Sequence, residues 1–145
     1  MYILEEARLR NNLRIISDVA KRADVEIILA FKAYALGKTF PIFPQAASSL
    51  SEARLAFDKF GSKAHTFSPA YTDYEIDEIA ACSSHLTFNS LTQYERLHER
   101  ACKQNPEISF GLRINPEYSE IETDIYNPCA PGTRFGVSAD KLPEQ

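Results

Sequence analysis

The sequence predicts an α/β fold on a parallel sheet, and within that class a partial (β/α)8 TIM-type barrel. Three observations carry this expectation. Apolar strands alternate with amphipathic helices, and strands recur roughly every twenty residues, as in successive βα units. The strands are apolar enough for a sheet whose outer face is covered by helices. The turn after the first strand reads KAYALG and lacks the GxGxxG of a doubly wound sheet. A complete barrel takes about 250 residues, whereas this chain has 145. The expected domain is therefore 1–145, the N-terminal part of an incomplete barrel, with open strand edges and one uncovered sheet face.

The elements follow in order. Ile3 to Arg22 reads as a helix, because Leu9, Leu13, Ile16 and Ala20 share one face and charges fill the other. Six of the seven residues Val25–Phe31 are apolar, which reads as a buried strand ending on Lys32. The connection 33–45 carries Pro41 and Pro44. A crossover needs roughly 10–12 residues, so residues 33–45 barely suffice for a helix plus its loops, and either the helix is cut short or the second strand shrinks to little more than AASS. Ser49-x-x-Glu52 has capping-box spacing, and Gly61 is positioned to stop the helix it opens. Ala64–Ser68 reads as a strand, and Thr72-x-x-Glu75 as the start of a helix to about Ala81. His85–Asn89 is a further strand, and Ser90-x-x-Gln93 opens a helix to about Lys103. Ile108–Asn115 is the last full strand. A loop rich in Pro, Asn and Gly runs from Pro116 to Gly136, and Arg134–Val137 hints at one more element.

Composition narrows the function classes. The chain is 44% hydrophobic and 25% charged, with net charge −4 and no basic stripe, which argues for a globular protein and against nucleic acid as a partner. No apolar run approaches the roughly 20 residues of a membrane span, and MYILEEARLR is not a signal peptide. Cys82, Cys102 and Cys129 are widely spaced and odd in number. They fit reduced thiols and a cytoplasmic location.

In barrels the reactive groups sit at the C-terminal ends of strands. Lys32 is at such an end and has two readings, a solvated tip or an amine nucleophile towards carbonyls. Glu52 is either a helix cap alone or a cap that also faces the catalytic mouth. Arg113 lies among apolar neighbours in GLRIN and needs a partner, either a buried acid or an anion at the site. His65 and His85 open strands at the far end, and His98 lies on a helix; all three read as structural or exposed. No spacing suggests a metal site or a Ser-His-Asp set.

The segments AFKAYAL, ASSLSEARLAF, HTFSPAY, LTFNSLTQYERL and GLRINPEYSEIETDIYNPCAPGTRFGV occur in this order along the whole chain. Together they resemble the N-terminal part of the carboxynorspermidine/carboxyspermidine decarboxylases. NPCAPGTRFG is the most specific of these segments. That family belongs to the alanine-racemase-like, fold type III decarboxylases that use pyridoxal 5'-phosphate (PLP). The resemblance implies a PLP-binding barrel followed by a β-rich domain, before which this chain stops, and a homodimer in the full-length family. It implies that Lys32 forms the PLP Schiff base, and that Glu52 and Arg113 lie near the cofactor. It makes Asp124 and Tyr126 candidates for contacting a polyamine substrate, since acids suit amines. The implied reaction is loss of CO₂ from carboxynorspermidine or carboxyspermidine, giving norspermidine or spermidine. The family's Gly-rich phosphate loop and later active-site residues are absent, so the 145-residue chain by itself is expected to be inactive. The alternatives are another PLP barrel, a racemase or PLP carrier, or a non-catalytic remnant. A racemase would place a tyrosine where this chain has Leu36, and Tyr34 stands nearer the lysine instead.

Overall fold

A computed structural model describes residues 3–32, 35 and 43–142. Five strands among them pair in parallel and in chain order: β1 (Leu29–Ala30), β2 (Gln45–Ala47), β3 (Ala64–Phe67), β4 (Ser83–Phe88) and β5 (Ser109–Leu112). Helix α1 (Glu6–Ala23) precedes the sheet. Helices α2 (Leu50–Leu55), α3 (Ile76–Ala81) and α4 (Leu91–Gln104) connect successive strands. Sequential parallel order with connecting helices is the arrangement of the front part of a (β/α)8 barrel. Val137 begins to extend it, through a parallel bridge to Ile114.

Several boundaries differ from the sequence expectation. Helix α1 starts at Glu6 rather than Ile3, because Ile3 and Leu4 find no place in the core and stay exposed. Its face Leu9, Leu13 and Ile16 packs on Phe43, Ile27, Leu29 and Phe60 as the periodicity requires. The first strand is much shorter than Val25–Phe31. Its ladder begins at Leu29 because β2 begins opposite it, at Gln45. Residues before Leu29 therefore have no strand beside them, and Val25 and Ile28 face solvent. Strand β2 is three residues long, in keeping with the shrunken second strand. The connection itself, with Tyr34, Leu36 and Pro41, lies outside the described residues apart from Ala35, Phe43 and Pro44. Helix α2 runs on into a π-helical turn, Ala56–Phe60, and Gly61 stops it at φ +66°, where glycine has no steric cost. Helix α3 starts at Ile76, not Thr72. The Thr72 hydroxyl donates to the Glu75 carboxylate and closes a turn ahead of the helix.

The sheet's two faces differ. The row Ala47, Thr66, Leu86, Phe110, read across the strands, points to the helices. With Phe88 it packs against Ile76, Ile79 and Ala80 of α3, Leu97 and Ala101 of α4, and Ala53 of α2. The next row, Ala30, Ala46, His65, His85 and Ser109, points to the other face, which would be the barrel interior. There the His65 and His85 rings stack at 3.9 Å, beside a cleft that Glu26, Lys63 and Ser84 also line. This cleft opens at the N-terminal end of the sheet. Among the described residues, no helix is long and apolar enough to cross a membrane.

Two predictions follow from this packing. Phe88 is fully buried and touches the rings of Tyr71, Tyr94 and Phe110. Phe88→Ala should cost about 3–5 kcal/mol in a denaturant titration. Burial, and then the charge of His85, hold His65 below its ordinary pKa, with Glu26 opposing. The unfolded chain therefore binds a proton at His65 before the folded chain does. Stability should fall as the pH drops below about 6.5, the ordinary histidine value, and level off below the lowered value. In His85→Asn, an NMR titration should show His65 moving back up; an unmoved His65 would exclude the charge of His85 as a cause.

Candidate functional site

Parallel pairing brings the C-terminal ends of all five strands to one edge, and the residues just past those ends form the candidate site. Lys32 follows β1. The Phe31 amide donates to the Ala46 carbonyl at 3.3 Å, a bond of the last β1–β2 pair, and residues 31–32 form a turn just past the strand. Ala30 pairs with Ala46 and Ala47 with Thr66. Lys32 is the second residue past β1 and Ser48 the first past β2. Phe67, Thr87 and Gly111 pair across β3, β4 and β5 near the same edge. Phe31 is buried against the helices, in contrast to its neighbour Lys32. Its side chain is exposed and makes no hydrogen bond or ion pair among the described residues.

Glu52 lies in the first turn of α2. Half of the predicted capping box forms as expected: the Ser49 hydroxyl accepts the Glu52 amide at 3.3 Å. The other half shifts by one residue. The Glu52 carboxylate accepts from the Ser48 amide at 2.6 Å and from the Ser48 hydroxyl at 2.7 Å. The carboxylate is thus held at the tip of β2, one strand from Lys32. Both readings of Glu52 survive in one geometry: it caps the strand-to-helix turn and stands at the mouth. The same device recurs at α4. Ser90 accepts the Gln93 amide at 3.1 Å, and the Gln93 side chain accepts the Asn89 amide at 2.9 Å.

Arg113 follows β5 at the same edge, four strand spacings from Lys32, or roughly 19 Å along a flat sheet. The sequence left it either a buried acid or an anion as partner. No acid pairs with it among the described residues. Its guanidinium lies over two aromatic rings instead, 4.8 Å from the Phe67 centroid and 4.5 Å from the Phe135 centroid. An attraction between a guanidinium and a ring face needs no counter-charge, so the charge is carried without an ion pair. The segment Arg134–Phe135–Gly136 is pinned by Asn89. The Asn89 side chain donates to the Arg134 carbonyl at 2.7 Å and accepts the Gly136 amide at 2.8 Å. Gly136 has φ +79°, and a Cβ there would come within 2.9 Å of the Asn115 amide nitrogen. Only glycine lets the loop lie this close to the end of β5.

Asp124 and Tyr126 belong to a short 3-10 turn, Asp124–Tyr126, in the long loop. The Asp124 side chain lies outside the described residues. Tyr126 is 74% exposed and has no hydrogen bond to Lys32, Glu52 or Arg113. Phe67, Asn89 and Phe135 were not recognised as site residues from the sequence. All three do fall in the distinctive segments, Phe67 in HTFSPAY, Asn89 in LTFNSLTQYERL and Phe135 in the stretch ending TRFGV, and Asn89 ends the strand read at His85–Asn89. Buried Tyr71 supports the mouth from below: its hydroxyl accepts the Ser68 amide at 2.9 Å and donates to the Thr87 carbonyl at 3.0 Å. Burial raises its pKa well above the ordinary phenol range, so it stays a neutral donor.

No protein-family model matches the chain. Curated relatives do. The chain is 44% identical to a carboxyaminopropylagmatine decarboxylase of Synechocystis, over 97% of this chain and 37% of that protein. It is 36% identical to a carboxynorspermidine/carboxyspermidine decarboxylase of Campylobacter jejuni, over 95% of this chain and 36% of that protein. A decarboxylase of the same name from Herminiimonas arsenicoxydans is 34% identical, over 94% of this chain and 38% of that protein. The chain therefore spans well under half the length of the relatives it matches. Among solved structures, the crystal structure of Campylobacter jejuni carboxynorspermidine decarboxylase complexed with norspermidine superimposes with a TM-score of 0.76. It is 32% identical, over 96% of this chain and 35% of that one. Over the stretch that it spans, this chain is a relative, in sequence and in fold, of the carboxynorspermidine/carboxyspermidine decarboxylases.

Proposed function

We propose that this chain carries the lysine-bearing part of a PLP-dependent decarboxylase that removes CO₂ from a carboxylated polyamine. The observation that carries the reading is the placement of Lys32: an exposed amine, without an acid partner among the described residues, two residues past the first strand's C-terminal end. An amine so placed suits a carbonyl-bearing cofactor, because an ion-paired ammonium would first have to lose its partner. The donor set fits PLP. Lys32 Nζ would hold the aldehyde carbon, the ring-borne guanidinium of Arg113 suits an anionic group, and Glu52 is fixed on Ser48 at the end of the neighbouring strand. When bound, PLP supplies an electron-poor ring that takes up the electron pair left as CO₂ departs. The protein's part is to hold Lys32 Nζ at the strand end, keep the Glu52 carboxylate on Ser48, and keep the Arg113 charge at the same mouth. For each molecule of CO₂ lost, one proton returns to the α-carbon and the amine product leaves.

The substrate is proposed as carboxynorspermidine or carboxyspermidine. A second reading, carboxyaminopropylagmatine, has a specific observation in its favour, the 44% identity to a decarboxylase of that substrate. The three compounds share a carboxylated amine end, and a guanidino group distinguishes the third. Asp124 and Tyr126 are proposed as loop residues facing the distal cationic end. The relatives' greater length leads us to propose that turnover needs residues outside these 145, in a cytoplasmic homodimer. Capture of PLP by Lys32 and turnover are thus separate steps to test.

Incubation with PLP, borohydride reduction and mass spectrometry of the peptides should place a pyridoxyl group on Lys32, and Lys32→Ala should lose it. An adduct spread over several surface lysines, with Lys32 unmodified, would sink the proposal. In a protein that carries the remaining length of the relatives, CO₂ release from the three carboxylated amines should identify the substrate. Release from none of them would favour a racemase or carrier.

A further inference from the structure

We propose that Asn89 is a positioning residue for Arg113, acting through Phe135. The inference rests on the reading of Arg113 as a residue of the decarboxylase site. Asn89 stands at the tip of β4 with every polar group of its side chain committed to one segment. Its amide NH₂ donates to the Arg134 carbonyl at 2.7 Å, and its Oδ1 accepts the Gly136 amide at 2.8 Å. The two bonds bracket Phe135. Its backbone is fixed in turn, since the Asn89 amide donates to Gln93 at 2.9 Å. Phe135 cannot swing away while both its neighbours are held, and its ring lies under the Arg113 guanidinium at 4.5 Å. Arg113 is held from its other side of the chain as well: its amide donates to the Phe88 carbonyl and its carbonyl accepts the Val137 amide, each at 2.9 Å.

The alternative role for Asn89 is purely local, a cap on a loop. That role does not explain why the bracketed residue is the one aromatic of the segment, nor why its ring meets a cation that has no acid partner among the described residues. A guanidinium is a rigid planar fork whose usefulness depends on the direction in which its N–H groups point. Two ring faces set that direction without neutralising the charge, whereas a carboxylate partner would occupy the N–H groups themselves. The positioned guanidinium is suited to an oxyanion, either a phosphate group or a carboxylate.

NMR on the 145-residue chain tests this. Protons over a ring face are shifted upfield, so the Arg113 side-chain protons should show that signature. In Asn89→Ala the upfield shift should shrink, and the Gly136 amide should exchange about tenfold faster for one lost hydrogen bond. Amide protection of Leu86 and Phe110 should stay unchanged and report an intact sheet. Asn89→Asp keeps the acceptor for Gly136 but lacks the donor for Arg134, and should retain Gly136 protection while losing part of the Arg113 shift. Phe135→Leu leaves the bracket intact and should remove the ring's share of the shift, which serves if Asn89→Ala does not fold. An Arg113 shift unchanged in the folded Asn89 and Phe135 variants overturns the inference. Inorganic phosphate is the separate arm. It should move the Arg113 Nε–H signal in the native chain and move it less in Asn89→Asp. If the native signal does not respond, Arg113 leaves the site and the inference falls with that reading.

Discussion

Parallel pairing of the strands in chain order is the constraint on which the rest of this structure depends. A parallel ladder sends every strand in the same direction, so each return must cross the sheet as a helix or long loop. Here α2, α3 and α4 make those returns and take the buried row Ala47, Thr66, Leu86, Phe110 as their floor. The consequence is geometric. Lys32, Ser48, Asn89 and Arg113 are scattered along the chain but share an edge, because each lies one or two residues past the end of a strand.

The strand-to-helix turns at that edge are built from one repeated unit. A serine caps the helix through its hydroxyl, and the third helical residue turns back to the amide of the residue before the cap. This satisfies backbone donors that a helix start leaves without partners. It also commits side chains at the mouth. Glu52 accepts both the Ser48 amide and the Ser48 hydroxyl at Oε2, so its carboxylate is held at the tip of β2. Asn89 has its amide engaged by Gln93, which leaves its side chain for the loop. Stability and site geometry are therefore set by the same atoms, and a change at Ser48 or Asn89 would act on both.

Charges in this molecule are handled in two ways. On the outer surface, Arg54 pairs with Glu78 and Arg100 with Asp77 between neighbouring helices, and Arg96 with Asp73 in the turn ahead of α3. Such exposed pairs contribute little each, typically about 0–1 kcal/mol. At the mouth, Lys32 and Arg113 have no acid partner among the described residues. Arg113 rests on rings, and Lys32 is exposed.

Local pattern and tertiary context each decided a distinct share of this protein. Helical faces such as Leu9, Leu13 and Ile16, the serine caps at Ser49 and Ser90, the glycine stop at Gly61 and the parallel class were legible. They depend on contacts within a few residues or on a period that the chain displays directly. The position of Lys32 at a strand tip was legible for the same reason, and the order of the distinctive segments connected it to the decarboxylases. The extent of the first strand was not legible: a strand exists only where another lies beside it, and β2 reaches back no further than Gln45. Nor was the partner of Arg113. Its nearest rings, Phe67 and Phe135, lie far away on either side in the chain, and no local rule says which of many aromatics a cation will meet. The sequence determined which residues could carry chemistry and at which end of the sheet. Only the tertiary structure decided which of them touch, because the register of a parallel sheet joins residues that the chain keeps apart.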